Sequence, residues 1–147
     1  MSFTAEVGDL FAHPAQALAH GVNCKGIAGA GVAGIMARRY PNAIHQYKVL
    51  AQRGDLPPGS ALITKDGGRT IIHCASQNFP GADAREEWLR TSLTTGLDLA
   101  VDHGIHSVAL PLIGGGIGGL DPTLAEQIIR EVSEESPISV TLVTLAQ

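Results

Sequence analysis

Short apolar runs and longer stretches of helical spacing alternate along this chain. Residues 3–7, Ala17–Val22, 61–65, Arg69–Ala75, 107–111 and 139–145 have the length and composition of strands. In the first, Phe3, Ala5 and Val7 alternate with Thr4 and Glu6. Ala17–Val22 and 107–111 are apolar nearly throughout, as in strands covered on both faces. Val32, Ile35, Met36 and Tyr40 fall on one helical stripe. Arg38 and Arg39 lie in its last turn, where cations suit the helix dipole. Pro41 ends that helix and opens another, with Ile44, Tyr47 and Leu50 facing inward. Asp83, followed by Glu86, marks the cap of a long helix with the stripe Leu89, Leu93, Leu97, Ala100 and Val101; Gly104 ends it. Asp121 as N-cap and Pro122 at the first helical position open a last helix over 122–135.

Turn chemistry fills the gaps. Gly8-Asp9-Leu10-Phe11 is a turn with an acid inside it, and 13–16 is a connection too short for a helix. Gly54, Pro57, Pro58 and Gly59 make 53–60 a loop. Asp66-Gly67-Gly68 is a hairpin signal. Six strands, four or five helices and one hairpin predict an α/β fold, a mixed sheet covered by helices on both faces. In such sheets ligands bind beyond the carboxyl ends of strands. Here Val22, Ala75 and Pro111 feed loops that begin near Asn23, Gln77 and Gly114.

Composition narrows the picture. The 147 residues suit one domain, taken as 1–147. At 44% apolar and 16% charged residues the chain is globular rather than disordered. Its 18 glycines exceed average usage and cluster in loops, so binding by backbone groups is expected. A net charge of −4 argues against a broad basic face for nucleic acid, though not against a local patch. Cys24 and Cys74 lack any framework spacing and read as free buried thiols in a reducing compartment. No apolar run reaches the length of a membrane span and no signal peptide opens the chain; the expectation is a cytoplasmic protein without membrane contact.

The densest chemical signal is Pro111-Leu112-Ile113-Gly114-Gly115-Gly116-Ile117-Gly118-Gly119-Leu120-Asp121. Strand, glycine loop and helix start together make a phosphate cradle: glycines let the backbone approach an anion, and N–H groups point at it. The same pattern also serves as a plain strand-to-helix connection. Gly114, Gly116 and Gly119 match the dinucleotide fingerprint, but the next strand ends Val143-Thr144-Leu145-Ala146-Gln147 without the acid that a ribose needs. No Lys-Ser or Lys-Thr follows, so it is not a P-loop. His20, His73, Cys24 and Cys74 lack zinc-ligand spacing and read as core residues; no metal is expected. Ser76 lacks the surroundings of a nucleophile elbow. Arg85, Glu86 and Glu87 read as a solvated face. Phe79, beside Pro80, either covers a face of a bound base or sugar or anchors its own loop.

Three motifs in order resemble the macrodomain family: Gly8-Asp9-Leu10-Phe11; Ala19-His20-Gly21-Val22-Asn23-Cys24 with Gly29-Ala30-Gly31-Val32-Ala33; and the glycine loop from Pro111 to Asp121. The likeness covers essentially the whole chain. It is nearest to the bacterial-like branch with terminal ADP-ribose protein glycohydrolase and the macrodomains of DNA-ADP-ribosylation antitoxins. The resemblance implies a three-layer α/β/α macrodomain with a mixed six-stranded sheet, ADP-ribose as ligand and no cofactor. It assigns Asp9, as a buried carboxylate, to the adenine amino group and Leu10 to the adjacent backbone contact. It assigns Asn23 to the distal ribose and Gly29, Ala30, Gly31 and Val32 to that ribose and the diphosphate. Gly114, Gly115, Gly116, Ile117, Gly118 and Gly119 fall on the diphosphate loop.

One departure bears on chemistry. The glycohydrolase has a lysine in the third loop and an aspartate in the last glycine loop; this chain has Gln77 and Gly118 there. Glutamine forms no Schiff base and is no strong base at neutral pH. Asp121 is the nearest acid, and its competing role is helix cap. What remains is a hydrolase in which Asn23 and Gln77 position water and ribose for attack at the anomeric carbon, releasing mono-ADP-ribose from protein carboxylates or nucleobases. The alternative is a non-catalytic reader of ADP-ribose.

Overall fold

The computed structural model describes residues 2–145. Its strands are β1 (Ser2–Val7), β2 (Ala17–Val22), β3 (Ala61–Asp66), β4 (Arg69–Ala75), β5 (Ser107–Leu110) and β6 (Ser139–Thr144). Its helices are α1 (Gly31–Arg39), α2 (Pro41–Gln52), α3 (Glu86–Asp102) and α4 (Pro122–Glu134). One sheet has the order β1-β6-β5-β2-β4-β3. All neighbours are parallel except β3, which returns antiparallel along β4 through the two-residue turn Gly67-Gly68. Gly67 has φ +61°, a conformation that favours glycine.

Period-two alternation in the strands divides the core between two faces. Leu18, Ile71 and Ala75 pack with Met36, Ile44 and Tyr47 of α1 and α2. Ala17, Ala19, Ile72 and Leu110 pack with Leu89, Leu93 and Leu97 of α3 and Ile128 and Ile129 of α4. Each leucine, isoleucine or methionine among them contributes roughly 1.5–3 kcal/mol by leaving water, so both helical layers are held by their own apolar stripe. The expected three-layer α/β/α arrangement with a mixed six-stranded sheet is the one observed.

Four local expectations are corrected. The alternation of residues 3–7 does not bury one face: β1 is an edge strand, and only Phe3 is half-buried while Val7 is exposed. Asp83 does not cap α3. The cap is Arg85, without a side-chain bond, and the Asp83 carboxylate accepts from the N–H groups of Asn78 and Phe79, closing the loop before the helix. Val101 lies off the buried stripe, and Ser92 and Gly96 complete that stripe instead. Asp121 stands at the N-cap of α4 but makes no side-chain cap bond. The cap of α2 comes from afar: Asp66 Oδ2, at the end of β3, accepts from Asn42 and Ala43 N–H at 2.9 and 3.3 Å.

His20 and His73 face each other across the β2–β4 pair, wholly buried. His20 Nε2 lies 2.8 Å from His73 Nδ1, and His73 Nε2 lies 2.8 Å from Thr64 Oγ1. Thr64 in turn donates to Ile71 O. With every donor matched, His73 donates to Thr64 and His20 donates to His73, leaving His20 Nδ1 as a bare acceptor. Burial holds His20 down at about 3 and His73 well below the usual histidine range, so both rings are neutral. They are core residues, as their spacing indicated.

Candidate functional site

Because β1, β2, β4, β5 and β6 run the same way, their carboxyl ends share one edge of the sheet. The loops that leave them enclose two adjoining cavities of about 380 and 420 Å³. Both are lined by Val32, Pro111, Leu112 and Gly116, so the two open on a common waist. The larger is walled by the turn at Gly8–Phe11, by Ile35 and by Val143, Thr144 and Leu145. The other is walled by the loops after β2, β4 and β5.

Donors converge on the waist. Helix α1 starts at Gly31 (φ +59°), and its N-cap Ala30 supplies no side chain to the first turn. The opening N–H groups of α1 are therefore open, at the positive end of its dipole. Opposite them, the N–H groups of Gly116, Ile117 and Gly118 meet no acceptor among the described residues. A Cβ on Gly31 would stand 3.0 Å from Ile117 Cδ1, so the two glycine loops touch across the cleft. Among the described residues the cavity walls hold no lysine or arginine, and Asp9 is their single charged side chain. The arrangement can hold a dianion by backbone dipoles alone, with one neutral group in each flanking cavity.

The expected site residues divide as follows. Asp9 and Leu10 line the larger cavity; Asn23, Gly29, Ala30, Gly31, Gln77, Gly114, Ile117 and Gly118 line the other. Val32 and Gly116 line both, and Gly115 lines the larger. Asp9 is exposed, not buried as expected, because it sits at the lip of the turn; its Oδ1 accepts from Phe11 N–H at 3.0 Å, which leaves Oδ2 open. Gly119 lies off both cavities, where a Cβ would press within 2.8 Å of Ala82. Phe79 also lines neither; it stands exposed at the rim, with Lys25 Nζ 4.7 Å from its ring centre.

Asn23 and Gln77 are more occupied than sequence alone indicates. Asn23 Oδ1 accepts from Lys25 N–H, Ile27 N–H and the Tyr47 hydroxyl, and Nδ2 donates to Ile27 O at 2.9 Å. One N–H of Asn23 is left for the cavity. Tyr47, fully buried, has a single hydroxyl proton, which it shares between Asn23 O at 2.7 Å and Asn23 Oδ1 at 3.1 Å, and burial pushes its phenol well above the usual range. Gln77 Nε2 donates to Phe79 O and Gly81 O at 2.7 and 2.8 Å, so this side chain staples its own loop. Only its carbonyl oxygen remains free. The Cys24 thiol donates to Gln77 O, tying the second loop to the third, and burial raises its pKa.

Gly118 has no room for an aspartate. Its Cβ would fall 2.9 Å from Ala84 Cβ and 3.0 Å from Gly114 O, and its own carbonyl accepts from Ala84 N–H. The departure from the glycohydrolase is thus built into the packing of two loops. Missed by sequence reading were Ile27, Pro80, Ile113 and the end of β6 at Val143 and Thr144, all apolar or small wall residues without a chemical signature.

A six-stranded mixed sheet in three layers, with glycine loops at its carboxyl edge around a two-lobed anion cleft, defines an α/β binding domain for a ligand with an anionic centre. The macro domain model matches residues 19–129, and the chain belongs to that family. It is 30% identical over 134 residues to the DNA ADP-ribosyl glycohydrolase of Mycobacterium tuberculosis, covering 88% of this chain and 38% of that protein. The chain therefore spans well under half the length of that relative. It is 29% identical to the O-acetyl-ADP-ribose deacetylase of Citrobacter rodentium, covering 86% of this chain and 76% of that protein. Among solved structures, the macrodomain of Mycobacterium tuberculosis DarG superposes with a TM-score of 0.90 at 27% identity, over 98% of both chains.

Proposed function

We propose that this chain, acting as one macrodomain, binds ADP-ribose along the two cavities and hydrolyses its bond to a modified macromolecule. The observation that carries the reading is the waist: two arrays of open N–H groups, α1 and Gly116–Gly118, face one another between two lobes whose walls, among the described residues, hold no lysine or arginine. Adenine belongs in the larger cavity, with Asp9 Oδ2 accepting from its amino group. The diphosphate belongs at the waist, and the distal ribose in the cavity of Asn23 and Gln77. There the free Asn23 N–H and the Gln77 carbonyl hold the sugar and the attacking water. Water oxygen bonds to the anomeric carbon, the bond to the carrier breaks with its electron pair going to the carrier group, and the proton shed by the water ends on that group. With no lysine, catalysis rests on positioning and on fixed dipoles.

ADP-ribose on a nucleobase of DNA is the substrate favoured by the relatives' names. The rim supports it: Phe79, Ile27 and Ile117 are exposed there, with Lys25 alongside, a small stacking surface with one cation. Protein carboxylate esters are the second reading. The two buried thiols suit a reducing compartment, in keeping with a cytoplasmic site of action.

The test is incubation with nucleobase-linked ADP-ribosyl DNA and, separately, with glutamate-linked ADP-ribosyl protein, with release followed by mass spectrometry. Free ADP-ribose should also stabilise the fold by about 2.7 kcal/mol at 100 times Kd, seen as a melting shift. Binding without release from either substrate would make the protein a reader; no melting shift with millimolar ADP-ribose would remove the reading altogether.

A further inference from the structure

Tyr47 stands outside the cleft and is tied to it. It lies in α2, lines neither cavity and is fully buried. Its ring is stacked on that of His73, with 8° between the planes and 5.7 Å between the centres. His73 is fixed in turn by His20 and Thr64, each at 2.8 Å. A phenylalanine would serve the packing as well. What the tyrosine adds is one hydroxyl, and burying a hydroxyl costs stability unless it is hydrogen-bonded.

That hydroxyl spends its proton on a single residue. Asn23 O lies at 2.7 Å and Asn23 Oδ1 at 3.1 Å. Gly26, at φ +78°, lets the loop lie close on α2: a Cβ there would fall 3.0 Å from Gln52 Cγ and 3.3 Å from Lys48 O. The other partners of the Asn23 side chain, Lys25 and Ile27, belong to its own loop and would move with it. Tyr47 is the partner that comes from a helix. The amide serves the cavity as a donor in one orientation only. With Oδ1 toward the N–H groups of Lys25 and Ile27, Nδ2 gives one N–H to Ile27 O and keeps the other free. Turned over, Nδ2 would face two N–H groups, Oδ1 would face a carbonyl, and no donor would be left for a ligand.

We propose that Tyr47 is a positioning residue of this site: its hydroxyl locks Asn23 at backbone and side chain, so that the free amide N–H is aimed at the distal ribose. The proposal rests on the reading of the cleft as an ADP-ribose site. Tyr47 touches no ligand and passes no proton; it acts through Asn23. Side chains locked by a second layer of hydrogen bonds hold their aim to within about 0.5 Å, and a misplacement of about 1 Å can cost on the order of 100-fold in rate.

The experiment is a cycle of wild type, Tyr47→Phe, Asn23→Ala and the double variant. Each is assayed for kcat and KM on whichever ADP-ribosyl substrate is turned over, and by calorimetry with ADP-ribose and with ADP, which lacks the distal ribose. Tyr47→Phe should lower kcat about ten- to 100-fold, with KM and the Kd of ADP within about twofold. Added to Asn23→Ala it should cost less than about twofold, since no amide is left to aim. A role in folding alone would cost the same in both backgrounds, and that result would overturn the proposal. Wild-type turnover in a folded Tyr47→Phe protein would do so too. If wild type binds without releasing, the cycle is read on the preference for ADP-ribose over ADP. Tyr47→Phe should then cut that preference about fivefold where Asn23 is present and leave it unchanged in Asn23→Ala; no cut, or an equal one in both, overturns the proposal. If Tyr47→Phe fails to fold, wild type with isotope-labelled tyrosine decides. The chain has two tyrosines, and the Cζ resonance of Tyr47, which reports its hydroxyl bond, should move with ADP-ribose and stay with ADP. The same response to both ligands would overturn the proposal. A wild type that binds ADP and ADP-ribose equally defeats the positioning role alone; one that binds neither defeats the parent reading.

Discussion

At the scale of single residues, side chains at the cleft work for the loops before they work for a ligand. Asp9 spends one oxygen on Phe11 N–H, and Asn23 spends its whole carbonyl on neighbouring donors. This double duty separates two substitutions at Asp9. Asp9→Asn keeps an acceptor for Phe11 N–H and removes the charge; Asp9→Ala removes both. Loss of a charge-assisted bond predicts a weakening of roughly 1.5–3 kcal/mol for ADP-ribose in Asp9→Ala, with ribose 5-phosphate unaffected. Asp9→Asn should lie between the two. Calorimetry with both ligands checks this, and an equal loss for both would assign Asp9 to the turn alone. Asp9 and Asn23 were singled out in the sequence by the macrodomain resemblance, and the structure places both on cavity walls, Asp9 in the turn after β1 and Asn23 after β2. That Asn23 is held by Tyr47, 24 positions away in the chain, was not legible there, since nothing in a helical stripe marks an inward tyrosine as a donor.

At the scale of elements, reading succeeded where the physics is local. Apolar runs gave the strands, Gly67-Gly68 gave the hairpin, and Pro41 and Pro122 gave helix starts. It failed where a side chain acts across space. Asp66 was read as a turn residue and also caps α2; Asp83 was read as a helix cap and instead closes the loop before it. The unforeseen cap and the wrong one have one cause: an aspartate satisfies whichever N–H groups the completed fold brings near, and local spacing does not say which. The glycine loops were found by composition, but their division of labour was not. Gly31 and Gly116 face the cleft, while Gly119 packs against Ala82 and Gly118 both lines the cleft and packs against Ala84. Ser76 was weighed in the sequence only as a nucleophile; that its hydroxyl is buried without a partner among the described residues is invisible until its neighbours are known.

For the whole molecule, the two buried histidines set a limit on acid stability. Both are neutral when folded, with pKa values below the unfolded value of about 6.5. Above that pH neither state binds the protons, and stability is full. As pH falls below about 6.5 the unfolded chain takes them up and the folded one does not, so stability is lost. The window for His20 runs from there to about 3. Well inside it, each histidine contributes a slope of about 1.4 kcal/mol per pH unit. Urea midpoints at pH 7.5, 6 and 5 should therefore fall progressively, and His20→Leu should flatten the decline by about one proton. An equally steep decline in that variant would place the acid sensitivity elsewhere.

The absence of lysine and arginine from the cleft walls, among the described residues, has a consequence for the salt in the surrounding solution. A site that holds phosphate with mobile cations gives up attraction as counterions crowd in, and its affinity falls as ionic strength rises. Here the positive partners are amide dipoles fixed in two loops and a helix start, with no counterions of their own to release. Kd for ADP-ribose should change by less than about threefold between 50 and 500 mM sodium chloride, a range over which the Debye length shrinks from roughly 14 to 4 Å. A modified DNA strand gripped at the rim through Lys25 would lose affinity over the same range. A salt titration of each ligand thus distinguishes the hold on the nucleotide from the hold on its carrier, and a steep loss for ADP-ribose itself would mean that a cation reaches the diphosphate after all.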